Sequence, residues 1–112
     1  MNYESRFPDA ADQMLARLGG HVEYSDRDPN GLVNLTRSKV ADEDLRDLVF
    51  YPGFDALNLD KTLISDVGLK FIGGMSNLEG LQLYDTVISD HGLKELLGLS
   101  RLERLDIACD PG

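Results

Sequence analysis

The octapeptide TVISDHGL at Thr86–Leu93 is nearly duplicated as TLISDVGL at Thr62–Leu69, and survives in blurred form as SKVADEDL at Ser38–Leu45. The copies stand 24 residues apart, and the interval holds without insertion along the chain. Val33 falls in phase with Leu57, Leu81 and Leu105, and Leu35 with Leu59, Leu83 and Ile107. Val40 matches Ile64 and Ile88; Leu45 matches Leu69 and Leu93; Leu48 matches Ile72 and Leu96; Phe54 matches Leu78 and Leu102. A unit this short cannot bury its own aliphatic side chains. It must lay them against the units before and after it, so the repeat dictates a stacked architecture.

Within one period the pattern changes from alternation to helical spacing. LEGLQL alternates apolar and polar residues, as a short strand does, and SDHGLKELLGL sets Leu93, Leu96, Leu97 and Leu99 on one helical face. The strand of each unit is expected to lie parallel to the next, about 4.8 Å away. Ser65 or Asp66, and Ser89 or Asp90, are placed to cap the helix that follows them, and an aspartate there also suits the positive end of the helix dipole. Thr62 and Thr86 are expected to bond to backbone inside the turn. Asp42, Asp66 and Asp90 recur at one phase, but they lack the dense Asp/Gly nonapeptides of calcium-binding β-rolls, and calcium is not expected to bind.

FDALNLDKTLI and LEGLQLYDTVI resemble the leucine-rich repeat pattern L-x-x-L-x-L-x-x-N-x-L, with threonine where that family usually has asparagine. The T-x-I-S-D-x-G-L tail resembles a bacterial subclass common in planctomycete-type proteins, and is similar to repeats that follow F-box domains. The resemblance covers roughly Gly31 to Asp110. It implies an α/β leucine-rich repeat solenoid, with short parallel strands on the concave side and short helices on the convex side. The first copy departs from the pattern: Asn30 occupies the opening leucine column, and Asp44 stands where later copies have Gly68 and Gly92.

Residues 1–30 read as an N-terminal cap, and 31–112 as three 24-residue repeats with a final partial one. In the cap, DAADQMLARLGG predicts a helix over about 9–18, with Asp9 as its N-cap, Ala11, Met14, Leu15 and Leu18 on one face, and Gly19-Gly20 as its stop. HVEYS predicts a strand over about 21–25, pairing near Val33–Leu35. The last copy keeps its strand but lacks a following unit to cover Leu102, Leu105 and Ile107, which suggests weak homodimerisation through that end.

The formal charge of −9 opposes binding to phosphate backbones and to anionic lipid. The single cysteine, Cys109, excludes an internal disulfide. The first residues show no secretory signal and no apolar run is long enough for a membrane span, so a cytoplasmic protein is expected. His21 and His91 stand isolated, neither double glycine sits in a phosphate-loop arrangement, and no nucleophile set is visible; no catalysis and no cofactor are expected.

The strand residues that alternate with the core columns differ in every copy. They are Leu32, Ala56, Gly80 and Arg104; Asn34, Asn58, Gln82 and Asp106; Thr36, Asp60, Tyr84 and Ala108; and Arg37, Lys61, Asp85 and Cys109. Uniform inner columns beside variable outer ones describe a recognition surface on a fixed scaffold. Asn34, Thr36, Arg37, Asn58, Asp60, Lys61, Gln82, Tyr84, Asp85, Arg104 and Asp106 are the candidate contacts for a protein or peptide partner, with Tyr84 as anchor. The alternatives are a small acidic neutraliser of a basic protein and an architectural part that self-assembles through its C-terminal end.

Overall fold

The computed structural model describes residues 9–48, 51 and 53–107, with side chains from Asp12 onward. The architecture is mixed α/β. Five three-residue strands form one open sheet in chain order: β1 His21–Glu23, β2 Leu32–Asn34, β3 Ala56–Asn58, β4 Gly80–Gln82 and β5 Arg104–Asp106. The four later strands run parallel in a register of one sequence period, with Val33 beside Leu57, Leu57 beside Leu81 and Leu81 beside Leu105. β1 runs antiparallel to β2 and pairs Val22 with Val33. Helices α2 Asp42–Leu48, α3 Asp66–Ile72 and α4 Asp90–Leu93 follow the parallel strands and pack on one another in order.

α1, Asp9–Leu18, precedes the sheet and buries Met14, Leu15 and Leu18. Asp9 is the first residue of this helix rather than the residue before it; the side chains of Asp9 and Ala11 lie outside the described residues. Its end follows from glycine chemistry. Gly19 takes φ +91°, its N–H donates to the Ala16 carbonyl at 3.1 Å, and the Gly20 N–H donates to the Leu15 carbonyl at 2.7 Å. Those two bonds satisfy carbonyls that the last helical turn leaves open.

The core runs between the sheet and the helices. Val33, Leu35, Leu57, Leu59, Leu81 and Leu83 are buried, as are Leu45, Leu48, Leu69 and Ile72 from the helices. Each such side chain contributes roughly 1.5–3 kcal/mol. Burial falls away at the far end. Leu57 and Leu81 are 1% exposed, whereas Leu105 at the same phase is 44% exposed and Ile107 36%.

The last helix departs from the sequence expectation. After one α turn it tightens into a 3-10 turn over Lys94–Leu96. Three residues per turn eclipse positions i and i+3, so Leu93, Leu96 and Leu99 share the inner side. Leu97, expected in the core, is 86% exposed.

The recurrent aspartate also does something other than cap its own helix. Asp42 and Asp66 are the first residues of α2 and α3, and their carboxylates reach the next repeat. The Ser65 N–H and hydroxyl donate to Asp42 Oδ1 and Oδ2 at 2.8 and 2.6 Å. The Ser89 N–H and hydroxyl donate to Asp66 Oδ1 and Oδ2 at 2.7 and 2.5 Å. Ser65 is a helix cap, its Oγ accepting from the Val67 N–H at 3.3 Å, while the Ser89 side chain makes no such bond.

This carboxylate explains the glycine three residues beyond each serine. A Cβ at Gly68 would stand 2.6 Å from Asp42 Oδ1, and one at Gly92 would stand 2.6 Å from Asp66 Cγ. The departures of the first copy follow. No earlier repeat sends a carboxylate to it, so the serine position holds Ala41 and the glycine position holds Asp44. Asp44 caps locally instead, accepting from the Ala41 N–H at 2.8 Å.

Candidate functional site

The sheet face opposite the helices carries the variable columns. Its first column begins with partly buried Leu32, passes through buried Ala56 and Gly80, and ends at Arg104. The two small residues are covered by the Arg104 side chain, which turns back along the sheet. A Cβ at Gly80 would stand 2.8 Å from Arg104 Nη2 and 3.2 Å from the Ala56 Cβ. Arg104 Nη2 donates to Asp28 Oδ1 at 2.9 Å, across 76 residues of sequence. Asp28 is 4% exposed.

The loop that presents Asp28 is tied at several points. Its N–H donates to Ser25 Oγ at 3.0 Å, and its carbonyl accepts from Gly31, whose φ of +113° suits glycine. Asn30 donates its N–H and its side-chain amide to the buried Asp55 carboxylate at 2.7 and 3.1 Å. Beside this strut lies a cleft of about 410 Å³, with Arg27, Leu32, Ala56, Gly80, Gln82 and Arg104 in its lining.

In the second column, Asn34 and Asn58 spend their side-chain oxygens locally, accepting the N–H of Thr36 and Asp60 at 3.0 Å each. Asn34 also donates to Glu23 Oε2 at 2.8 Å, and His21 Nε2 lies 2.7 Å from the same oxygen. Those hydrogen bonds, Asn34 first and His21 second, hold the Glu23 carboxyl below its ordinary range. Gln82 and Asp106 are exposed.

In the third column Thr36, Asp60 and Tyr84 are partly buried, and Asp60 Oδ1 accepts the Tyr84 N–H at 2.8 Å. In the fourth, Arg37, Lys61 and Asp85 are exposed and left-handed, with φ of 57°, 57° and 56°. This conformation turns the chain out of the strand while the Arg37 and Lys61 N–H groups still donate to the carbonyls of Asp60 and Tyr84, at 3.0 and 2.8 Å. Lys61 Nζ stands 5.9 Å from the Tyr84 ring centroid, a cation–π approach. The next residues close the turn: the Thr62 and Thr86 hydroxyls donate to the Leu59 and Leu83 carbonyls at 2.7 and 2.9 Å.

The structure thus gathers Gln82, Tyr84, Lys61, Asp85 and Asp106 on accessible parts of one face and its rim. It gives Asn34 and Asn58 local bonds, joins Asp60 to the Tyr84 N–H of the next repeat, and ties Arg104 to Asp28. Ala108 and Cys109 lie outside the described residues. Sequence reasoning passed over Asp28 and Arg27. The signal for the strut is the run of small residues, Ala56 and Gly80, in phase with Arg104; nothing local marks Asp28 as its partner.

Among the described residues, no three His, Cys, Asp or Glu side chains converge to hold a metal ion, and no helix is long and apolar enough to cross a membrane. Comparison with protein-family models, curated proteins and solved structures gives no match for this chain.

Proposed function

We propose that the chain is a leucine-rich repeat solenoid of the bacterial subclass described above, serving in the cytoplasm as a protein-binding module without catalysis. Its ligand is a protein or peptide held on the concave sheet. The observation that carries this reading is the contrast between two sides of the same strands. Val33, Leu57 and Leu81 are uniform and buried, while one residue along, Asn34, Asn58 and Gln82 face the other way and their neighbours change from repeat to repeat. A rigid backbone in fixed register with variable outward side chains suits recognition. Tyr84 is the anchor, offering ring area and a hydroxyl at low entropic cost, and Lys61 steadies its ring. The charge of −9 favours a partner that is neither nucleic acid nor anionic lipid.

A displayed library of natural peptides, selected on the immobilised chain, tests this. The expected result is an enriched sequence class whose binding drops about tenfold or more with Tyr84→Ala, and is unchanged by Lys70→Ala on the outer side of α3. Selection that enriches nothing, or peptides indifferent to Tyr84, Gln82 and Asp106 together, would reject the assignment.

A further inference from the structure

We propose that the rim where β2 and β3 turn out of the sheet binds an extended acidic peptide that carries an aliphatic residue. This rests on the reading above and narrows its partner to one chemistry. The rim is built from two in-phase pairs. Arg37 and Lys39 flank the partly buried Ser38, and Lys61 and Leu63 flank Thr62, which is 3% exposed. The two middle residues turn inward and their four neighbours are exposed. The Arg37 N–H, bonded to the Asp60 carbonyl, keeps the two repeats in step as far as this turn. Arg37 therefore stands beside Lys61, with Lys39 and Leu63 following in the same phase.

Charge selects the partner. The carboxylates nearest in sequence are held elsewhere: Asp42 accepts the Ser65 N–H and hydroxyl, and Asp60 accepts the Tyr84 N–H. Among the described residues the ion pairs use His21, Arg46 and Arg104, none of them on this rim. Arg37, Lys39 and Lys61 thus present positive charge on a chain whose formal charge is −9. In the next repeat Asp85 reverses the sign, so the basic surface is confined to the first two. A long polyanion is repelled by the acidic body around so small a patch, whereas a short peptide sets a few carboxylates against the cations and touches little else. Leu63, 86% exposed, offers the aliphatic contact that such a peptide can use and a phosphate backbone cannot. Lys61 also approaches the Tyr84 ring, so a peptide held at the rim continues onto the concave face.

Amide NMR of the isotope-labelled chain, titrated with a short peptide of repeated Glu-Asp-Leu units, tests the proposal. The amides of residues 37–39 and 61–63 should shift, and a matching peptide of Gln-Asn-Leu units should leave them in place. Lys39→Glu combined with Lys61→Glu should raise the dissociation constant about tenfold or more. Lys70→Glu combined with Lys94→Glu, which changes the net charge equally on the exposed helix side, should not. Leu63→Ser should weaken the leucine-bearing peptide and leave a Glu-Asp-Ala peptide unaffected. Tyr84→Ala separates this inference from the concave-face reading. Binding that needs the rim charges but ignores Tyr84 keeps the rim and rejects Tyr84 as the anchor; binding that needs Tyr84 but ignores the rim charges does the reverse. No shift at millimolar peptide, an equal response to the neutral peptide, or equal losses from the two charge-reversed pairs would each overturn the proposal.

Discussion

Asp66 joins two repeats through one carboxylate, and its ionisation is part of the joint. Hydrogen bonds from the Ser89 hydroxyl first, and from the Ser89 N–H second, lower its pKa below the ordinary aspartate value. The folded state therefore binds this proton less readily than the unfolded state. The stabilisation is fully present above the unfolded pKa and is lost as pH falls through the lowered folded value. Asp66→Asn should lower Tm at neutral pH and flatten the acid limb of the Tm curve below about pH 4; an acid limb identical to wild type would count against the joint. The same geometry makes Gly68 sensitive. Gly68→Ala drives a Cβ into Asp42 Oδ1 and Leu45 Cδ1, at 2.6 and 2.9 Å, and should cost about 1–3 kcal/mol in urea denaturation. Gly74→Ala meets only an ordinary contact, at 3.5 Å from the Phe71 carbonyl, and should fall within about 0.5 kcal/mol of wild type.

At the scale of elements, the strands were readable because their signal is redundant. Each inner position is written several times, so Val33, Leu57 and Leu81 predict one another's environment, and the observed register reproduces the sequence interval. The cross-repeat role of the aspartates was not readable. Helix capping and bonding to the next repeat demand the same residue at the same position, and only coordinates separate them. The 3-10 turn was hidden for a similar reason. Spacings of 3.6 and 3.0 residues both place Leu93 and Leu96 inside, and they disagree only at Leu97. That disagreement is testable: Leu96→Ala should destabilise by about 2–4 kcal/mol, and Leu97→Gln should be nearly silent, by chemical denaturation. Equal losses at the two positions would restore a continuous α-helix.

Across the whole molecule, burial is deepest in the middle strands β3 and β4 and falls away at β5, and one long contact opposes that loss. The Arg104–Asp28 pair spans β4 and β3 to tie the last strand to the loop before β2. Sequence separation of 76 residues hid this pair from any local reading. Its two ends differ: the Asp28 side chain is 6% exposed and that of Arg104 29%. Removing the arginine leaves a carboxylate buried without its charged partner, whereas removing both charges leaves no such debt. Arg104→Ala should therefore cost about 2–4 kcal/mol, after discounting for the partly wet guanidinium. Asp28→Asn should cost less, and the pair Asp28→Asn with Arg104→Met should recover much of the loss, giving a coupling of about 1–3 kcal/mol. The location of the damage is the sharper test. If the pair is an end-to-end tie, amide exchange in Arg104→Ala should rise first at β5 and in the 25–31 loop while β3 keeps its protection. Uniform acceleration through all the strands would mean that the pair supports the fold as a whole and not its far end.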